Sequence, residues 1–417
     1  MGQVPAAGAV DPQSPAPAWV SALPQTRLKI LHVIPTYYPA VRYGGPIRSV
    51  HGLCSALARR GHQVQVYTTS VDGDTDLDVP VRQAVMIDGV AVHYHRVPAL
   101  RRLYWSPALA AQLHRSMADF DVVHLHSVYL WPTWAAARAA EAASVPYLLS
   151  PRGQLVRELI HAKSRWLKSA WIQLIERRTL RACAALHVTT ALEGNEIRSL
   201  GLAPPTVFTI PNGVSWPDAP LPLSAGPFAG IPRPYCLFLG RINWKKGLDR
   251  LIAAWKLVPE LPLLIAGNDE EEYLPALRAL AEAEGVTDRI HFLGEVSDTH
   301  KWALYQNAEL LVLPSSNENF GNVVVEALAM ACPVIVTPGV GLAPFVREAG
   351  AGLVADGAPS SLAEAVQRLL AEPAMRREMG KRGQSAVFAE LSWNAVAERM
   401  EAVYRQICAA HPKAGIS

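Results

Sequence analysis

The sequence predicts an α/β protein made of two Rossmann-like, doubly wound domains that face a central cleft. With 417 residues, the chain is too long for one ordinary hydrophobic core. Short apolar runs alternate with helical segments in two separate series. A proline-rich stretch divides the two series, so each is expected to form its own parallel sheet.

The first series occupies residues 27–214, which we expect to form an N-terminal domain. It begins with the apolar run "LKILHVIP". A helix follows, with Pro46 in its first turn and Gly61 at its end. The further strands are predicted at "QVQVYTTS", "FDVVHLHS", "VPYLLS", "ALHVTT" and "TVFTIPNGV".

The second series occupies residues 235–393 and predicts a C-terminal domain. Residues 215–234, "SWPDAPLPLSAGPFAGIPRP", are too rich in proline for a helix or a sheet ladder and predict a linker. The second domain's strands are predicted at "YCLFLG", "LPLLIAG", "IHFLG", "AELLVLPSS" and "CPVIVTP". A final helix is expected over residues 394–412, crossing back to the first domain, with Ser392 as its N-cap.

The composition excludes several classes of protein. A net charge of +3 gives no reason to expect nucleic acid as a partner. Five scattered cysteines with no CxxC pair indicate reduced thiols in a cytoplasmic protein. No apolar run is long enough to span a bilayer, and residues 1–26 predict a disordered tail and not a secretion signal.

Two glycine-containing turns are candidates for binding an anion. In "YGGPIRS", Gly44 and Gly45 allow backbone N–H groups to approach an anion at a helix N-terminus, although a plain turn is the alternative. In "LGRINWKKGLDRLI", Arg241 and Lys246 flank a turn that opens a helix. Two cations there suit a diphosphate, and the alternative is a solvated basic turn.

A third turn, "SSNENFGNVVVEALAMACPVIV", places Glu318 in a turn and Glu326 in the following helix. The N–H group of Gly321 would attract an anion, and Glu326 could accept hydrogen bonds from a diol such as a ribose. Eight helical residues would separate the carboxylates by about 12 Å, unlike the closer pair of a retaining glycosidase. The structural alternative is a capped helix with one buried, paired glutamate.

Other chemistries find little support in the sequence. His124 and His126 lie on one face of a strand, but no third metal ligand is close in sequence, so no metal site is expected. The chain has no GxSxG elbow for a serine hydrolase, and no GxGxxG follows the first strand as in nicotinamide enzymes.

Together these motifs resemble those of the retaining glycosyltransferases of family 4, which have the GT-B fold. "ENFGNVVVEALA" resembles that family's E-x7-E element, and "FLGRINWKKGLDRLI" its donor-phosphate turn. "IPNGV" and "GGPIRS" also match, and the resemblance covers about residues 28–410. One departure is "NDEEEY" after "IAG", where many relatives have a glycine-rich turn; it includes Asn268.

The resemblance implies a UDP- or GDP-sugar donor, no metal and no cofactor. It also implies a role for each matching residue. The residues are Arg241 and Lys246 for the diphosphate, Glu326 for the ribose, Glu318 with Asn319, Phe320 and Gly321 for the donor sugar, Gly45 for the donor phosphate, His126 near the reacting centre, and Glu295 with Val296 beside the base.

The function that follows is transfer of a sugar, with retention of its anomeric configuration, to a glycan acceptor held by the N-terminal domain. Two alternatives share parts of this pattern: a sugar-nucleotide 2-epimerase and a non-catalytic nucleotide-sugar-binding subunit. The epimerase should not need the E-x7-E element. The presence of Arg241, Lys246, Glu318 and Glu326 together disfavours the binding subunit.

Residues 155–183 carry an apolar helical stripe and seven Lys or Arg residues against Glu158 and Glu176. One interpretation is an ordinary domain helix with its stripe in the core. The other is a helix that touches the anionic surface of the inner membrane, which would place the N-terminal domain near a lipid-linked glycan acceptor in polysaccharide biosynthesis.

Overall fold

The protein is described here from a computed structural model. The residues that it describes are 27–40, 45–81, 83–155, 171–202, 206–219, 222, 228, 230–269 and 271–413. The predicted disordered tail lies outside them, as do Gly44 and most of the predicted basic helix.

The first domain is built on an eight-stranded sheet with the order β10-β9-β8-β7-β1-β2-β6-β5. All neighbouring strands are parallel except β5, which runs antiparallel to β6. The strands are Lys29–Val33 (β1), Gln63–Thr69 (β2), Val85–Ile87 (β5), Val90–His95 (β6), Val122–His126 (β7), Tyr147–Ser150 (β8), Ala185–Val188 (β9) and Val207–Thr209 (β10), with a separate ribbon of Val71–Asp72 (β3) and Thr75–Asp76 (β4).

Helices cover both faces of this sheet, as parallel strands require. The α-helices are Gly45–Arg59 (α1), Pro107–Ser116 (α2), Trp131–Ala142 (α3), Arg177–Ala182 (α4) and Ala191–Ser199 (α5). Shorter turns are 3₁₀ at Arg101–Leu103 and Met117–Asp119, and π-helical at Ile172–Glu176.

The second domain has a six-stranded, wholly parallel sheet with the order β13-β12-β11-β14-β15-β16. Its strands are Cys236–Leu239 (β11), Leu263–Ala266 (β12), Ile290–Gly294 (β13), Leu310–Leu313 (β14), Val334–Val336 (β15) and Gly352–Val354 (β16). Its helices and the last helix of the chain are Leu248–Trp255 (α6), Leu274–Ala283 (α7), Asp298–Asn307 (α8), Asn322–Ala329 (α9), Ala343–Glu348 (α10), Pro359–Ala371 (α11), Pro373–Glu390 (α12) and Trp393–Ala410 (α13), with 3₁₀ turns at Trp244–Lys246 and Thr287–Arg289.

The final helix α13 packs on the first domain. Ser392 is its N-cap, because its hydroxyl accepts a hydrogen bond from the Ala395 N–H at 3.3 Å, as the sequence predicts. Met400 and Tyr404 are buried in the same cluster as Ile30 of β1.

An ionic cluster around Glu401 of α13 strengthens this attachment. Partial burial alone would raise the pKa of Glu401, but hydrogen bonds from Arg405 and Arg60 and the nearby His62 ring lower it to about 2. Because the folded-state pKa is depressed, this contribution to stability is present above the ordinary glutamate range and is lost as the pH falls towards 2.

The proline-rich stretch at 215–234 is not a free linker along its described part. Trp216 stacks on Phe388 of α12 with ring centroids 4.2 Å apart. Phe228 and Ile231 pack against the core of the second domain. The described residues of the stretch form no strand or helix, and the apolar side chains of Trp216, Phe228 and Ile231 attach it to the second domain.

Two further sequence predictions can be compared with the described residues. The five cysteines are free, and four of them are buried. Among the helices of the described segments, none combines the length and the apolar character that crossing a membrane requires.

The junction of α1 with α13 leads to the first prediction. A Cβ atom at Gly52 of α1 would lie 2.2 Å from Cε2 of Trp393. Replacing a glycine inside a helix by alanine ordinarily stabilises a protein by roughly 0.5–1 kcal/mol. We expect Gly52→Ala to destabilise the protein instead, because Trp393 must move and α13 must shift with it.

Thermal unfolding measures this effect. Gly194→Ala in α5 is the matched control, because the nearest atom to its Cβ would lie at an ordinary 3.7 Å. A Gly52→Ala protein as stable as the Gly194→Ala protein would contradict the described packing of α13.

Candidate active site

The two domains meet where the strands of both sheets end at their carboxyl ends. In open parallel sheets this edge is the place where ligands bind. Thr190, at the start of α5, donates a hydrogen bond from its hydroxyl to the carbonyl oxygen of Asn319 at 3.0 Å. The predicted E-x7-E turn of the second domain therefore lies directly against the first domain.

Helix α9 begins at this junction. Gly321 precedes it with φ of +94°, a left-handed conformation that favours glycine. Across the cleft, a Cβ atom at Gly45 would lie 2.8 Å from Nδ2 of Asn322. The N-termini of α1 and α9 thus approach each other, and their free N–H groups make this part of the cleft favourable for an anion.

Lys246 and Glu318 form an ion pair beside this site. Lys246 ends the 3₁₀ turn Trp244–Lys246, and Gly247 adopts φ of +65° before α6 begins. The backbone of Glu318 is fixed by Gly339 and Gly341, with hydrogen bonds of 2.9 and 2.8 Å. The lysine side chain is only 13% exposed, so its charge is largely shielded from bulk solvent.

Arg241 lies at the start of the same connection, one residue after Gly240, and is exposed. The hydrogen bond from Ile242 N to the carbonyl of Asn268, at 2.8 Å, ties this connection to the loop after β12. The "NDEEEY" segment therefore contributes Asn268 as a backbone support for the cationic turn.

Glu326 lies inside α9 and is separate from Glu318. Its carboxylate accepts hydrogen bonds from Lys301 Nζ at 2.7 Å and from the Tyr305 hydroxyl at 2.9 Å. The two glutamates thus have different partners within the protein. The alternative interpretation of a helix with one paired glutamate also describes Glu326.

The other predicted donor-site residues differ in exposure. Phe320 is buried in the core of the second domain. Glu295 and Val296 follow the edge strand β13, just before Ser297, which caps α8. Glu295 is exposed, whereas Val296 packs against the domain core.

His126 at the end of β7 is completely buried. Its Nδ1 faces Nη2 of Arg152 at 3.3 Å, and its Nε2 faces Nδ1 of His32 at 2.9 Å. The structure therefore places the His126 side chain next to Arg152 and shields it from solvent.

A row of buried histidines extends from this point into the first domain, and its tautomers follow from the bonding partners. The carbonyl of Ile210 can only accept, so His187 donates from Nε2, at 2.9 Å. His187 Nδ1 then accepts from His124 Nε2 at 3.2 Å, and His124 Nδ1 accepts from the Tyr404 hydroxyl at 2.7 Å.

The bonding partners also determine the tautomers of His126 and His32. Arg152 can only donate, so His126 accepts at Nδ1 and donates from Nε2 to His32. Burial, followed by the nearby Arg152, lowers the pKa of His32 and of His187 to about 3. The histidines are therefore neutral at physiological pH.

His32 also corrects the expectation that no third ligand accompanies His124 and His126. Ligand atoms of the three rings lie within 4.8 Å of one another. However, hydrogen bonds occupy both nitrogens of His124 and of His126 and Nδ1 of His32. The adjacent guanidinium of Arg152 also opposes a cation. These contacts favour a hydrogen-bonded network over a metal centre.

Comparison with known proteins identifies the family. The profile of "Glycosyl transferase 4-like domain" matches residues 44–213, and that of "Glycosyl transferases group 1" matches residues 230–386. The chain belongs to glycosyltransferase family 4. Each profile coincides with one of the two domains, in the order that the GT-B fold requires.

Individual proteins agree with this assignment. The chain is 29% identical over 391 residues to phosphatidyl-myo-inositol mannosyltransferase of Mycobacterium leprae, covering 90% of this chain and 96% of that protein. It is 27% identical over 417 residues to D-inositol 3-phosphate glycosyltransferase of Xylanimonas cellulosilytica, covering 93% and 98%.

Among solved structures, Anabaena Alr3699/HepE in complex with UDP and glucose superposes with a TM-score of 0.70. The sequence identity is 18%, and the match covers 91% of this chain and all of that one. The glycosyltransferase described here therefore has the GT-B fold.

The geometry adds Arg152 to the residues of this glycosyltransferase that lie at the domain junction. Arg152 has φ of +57°, and Ser127 and Tyr129 in the neighbouring loop also have positive φ. Such backbone strain in non-glycine residues is concentrated at functional sites. The Nη1 of Arg152 donates to Asn212 Oδ1 at 2.8 Å, and Asn212 Nδ2 in turn donates to Asn322 Oδ1 at 3.4 Å.

Glu193 of α5 holds the loop that carries Arg152. Its buried carboxylate accepts from Gly153 N at 2.6 Å and from Thr189 N at 2.8 Å. It also accepts from Asn319 Nδ2 of the second domain at 3.4 Å. Glu193 is thus a structural support shared by both sides of the cleft.

Glu193→Gln tests this support. A glutamine replaces one carboxylate oxygen by an NH₂ group, which would then face a backbone N–H donor. We expect a loss of about 1–3 kcal/mol in unfolding free energy together with reduced turnover, because the Arg152 loop loses its anchor. Denaturant unfolding and product formation are the measurements, with the exposed Glu364→Gln as control. Unchanged stability would rule out the anchoring role.

Proposed function

We propose that the protein is a retaining glycosyltransferase that moves a sugar from a nucleoside-diphosphate sugar to a glycan acceptor. The observation that carries this proposal is the Lys246–Glu318 pair beside the N-terminus of α9, at the junction of the two domains. A lysine, a carboxylate and the N–H groups of a helix N-terminus are the set that would suit a sugar diphosphate.

The second domain would bind the donor. Lys246 and Arg241 take the diphosphate, and the N–H groups at the start of α9 and at Gly45 add donors to its oxygens. Glu318 then turns from Lys246 to the hydroxyls of the donor sugar. The neighbour Alr3699/HepE, which shares the fold, is described in complex with UDP and glucose, which supports a UDP-sugar as the first donor to test.

Positioning of the substrates and stabilisation of charge would contribute more to this reaction than covalent catalysis by the protein. The bond between the sugar C1 and the phosphate oxygen breaks, and the acceptor hydroxyl forms its bond to C1 on the same face. The acceptor's proton passes to an oxygen of the leaving diphosphate. Lys246 and Arg241 stabilise the charge that develops on that diphosphate, which is the work of a metal ion in metal-dependent enzymes.

The first domain would hold the acceptor. Arg152 lies at the domain junction on this side, linked through Asn212 to Asn322 of α9. Burial lowers its pKa only to about 10, so it remains a cation at neutral pH. The neutral histidine row behind it keeps the guanidinium oriented without adding charge. An acceptor hydroxyl in the cleft would thus lie between Arg152 and the donor.

The donor assignment predicts how substitutions act. Lys246→Ala and Arg241→Ala should each lower kcat by roughly 10²- to 10³-fold, because charge on the leaving group is no longer stabilised. Binding of the free nucleoside should change little. Release of nucleoside diphosphate from a panel of UDP- and GDP-sugars, with EDTA present, is the measurement.

NMR of the product gives the stereochemistry in the same experiment. We expect the donor's anomeric configuration to be kept. An inverted linkage, or activity that EDTA abolishes and a divalent ion restores, would reject this mechanism. Turnover to an epimerised sugar nucleotide would support the 2-epimerase. Binding of the sugar nucleotide without turnover would support the non-catalytic subunit.

We further propose that the acceptor is lipid-linked, in polysaccharide biosynthesis, and that the first domain contacts an anionic membrane surface. The similar Mycobacterium leprae protein is named for a phosphatidyl-inositol acceptor. Of the basic segment 155–183, the structure describes Leu155 and residues 171–183. There Ile172 and Leu180 are buried and Arg178 and Arg181 are exposed, so the apolar side faces the core at this end.

Liposome co-sedimentation separates the two interpretations of this segment. We expect binding to anionic vesicles at low salt, its loss at high salt, and weaker binding after Lys163, Arg165 and Lys168 are changed to glutamate, because each basic residue contributes about 1 kcal/mol. Absence of binding at low salt would leave the core-helix interpretation and point to a soluble acceptor.

A further inference from the structure

Two side chains of α8 hold the carboxylate of Glu326. Lys301 donates to Oε1 at 2.7 Å and the Tyr305 hydroxyl donates to Oε2 at 2.9 Å. Burial, and then the neighbouring Glu326, raise the pKa of Tyr305 well above its usual value, so the hydroxyl keeps its proton and acts as the donor. Lys301 and Tyr305 are four residues apart, which places them on the same face of the helix.

Lys301 is a buried lysine, with only 8% of its surface exposed. A buried ammonium group is unfavourable unless it is paired. Here it has two carboxylates, Glu326 and, at 3.2 Å, Asp298. Such a residue is more than a packing element, because an apolar side chain would fill the same space without the desolvation cost.

The charges continue across the cleft. Asp298, in the first turn of α8, also pairs with Arg48 of α1 in the first domain. Arg48 lies three residues after Gly45, where α1 begins. An alternating row of Arg48, Asp298, Lys301 and Glu326 therefore connects the glycine turn of one domain to the α9 helix of the other.

The carboxylate of Glu326 can accept further hydrogen bonds in this arrangement. An ionised carboxylate has about four lone-pair positions, two on each oxygen. Lys301 and Tyr305 use one on each oxygen of Glu326. One position on each oxygen remains, which suits two neighbouring hydroxyl groups such as the 2′ and 3′ hydroxyls of a ribose.

We propose that Lys301 and Tyr305 are positioning residues that hold Glu326 so that both of its oxygens accept from the ribose of a nucleoside diphosphate. They thereby make the enzyme select ribonucleotides over 2′-deoxyribonucleotides. This inference rests on the proposed function, in which Glu326 binds the ribose of the donor.

Isothermal titration calorimetry with UDP, GDP, 2′-deoxy-UDP and 2′-deoxy-GDP tests the inference. For the base that binds, wild-type protein should prefer the ribonucleotide by at least about tenfold, the value of one hydrogen bond to a charged group. In Lys301→Met that ratio should fall towards one, because the ribonucleotide loses affinity and the deoxynucleotide loses much less. A purely structural role would weaken both nucleotides alike and leave the ratio unchanged.

Lys256→Met is the matched control. Lys256 also pairs with a glutamate, Glu284 at 3.4 Å, but its side chain is 63% exposed on the surface. The ribo-to-deoxy ratio of this variant should equal that of the wild type. Tyr305→Phe, which removes a single hydroxyl group, provides a milder second variant. Its ribo-to-deoxy ratio should fall, but by less than in Lys301→Met.

The possible outcomes are distinct. A wild-type protein that binds none of the four nucleotides would overturn both the proposed function and this inference. Ribonucleotide preference that survives intact in Lys301→Met would overturn the inference alone. Should Lys301→Met fail to fold, the ratio measured for Tyr305→Phe decides: an unchanged ratio refutes the positioning role, and a reduced ratio supports it.

Discussion

Asn319 holds the two domains together at the point where α9 begins, and the geometry of the cleft depends on it. Its carbonyl accepts from Thr190, and its side-chain Nδ2 donates to Thr189 Oγ1 at 3.0 Å. Gly153 and Gly341 lie so close that a Cβ atom on either would come within 2.8 Å of Asn319. The turn is therefore wedged between both domains, and it fixes the start of α9 relative to the first sheet.

Charge at the domain junction is arranged in pairs. Lys246 pairs with Glu318 and Lys301 with Glu326, so each glutamate of the E-x7-E element has its own lysine. The two lysines differ in their surroundings. Lys301, in α8, also pairs with Asp298, whereas Lys246 ends the 3₁₀ turn Trp244–Lys246. Under the proposed function, Lys301 keeps Glu326 in place, and Lys246 exchanges Glu318 for the diphosphate while Glu318 turns to the donor sugar.

The first domain contributes polarity with little charge. A continuous run of hydrogen bonds joins Tyr404 of the last helix to His124 and His187, and a second run joins Arg152 to His126 and His32. Because the rings are neutral and their tautomers are fixed, His126 and His32 orient Arg152 without adding charge beside it. The return of α13 to the first domain supplies the Tyr404 hydroxyl that ends the other run.

Much of this could be predicted from the sequence, because the decisive signals are local. Apolar strand runs, the N-cap Ser392 and the glycine and charge pattern around Arg241 and Glu318 are each contained in a few residues. Strand β6 was not predicted, because "VAVHYH" mixes polar and apolar residues and lies near the antiparallel edge. His32, Arg152 and Lys301 escaped notice because each meets its partners only after folding; His32 and His126 are 94 residues apart.

A crystal structure with bound UDP or GDP tests the central claim most directly. The account predicts the diphosphate at the N-terminus of α9, with Lys246 Nζ within about 3 Å of a phosphate oxygen and no longer paired with Glu318. A nucleotide bound away from α9, with the Lys246–Glu318 pair intact, would contradict it.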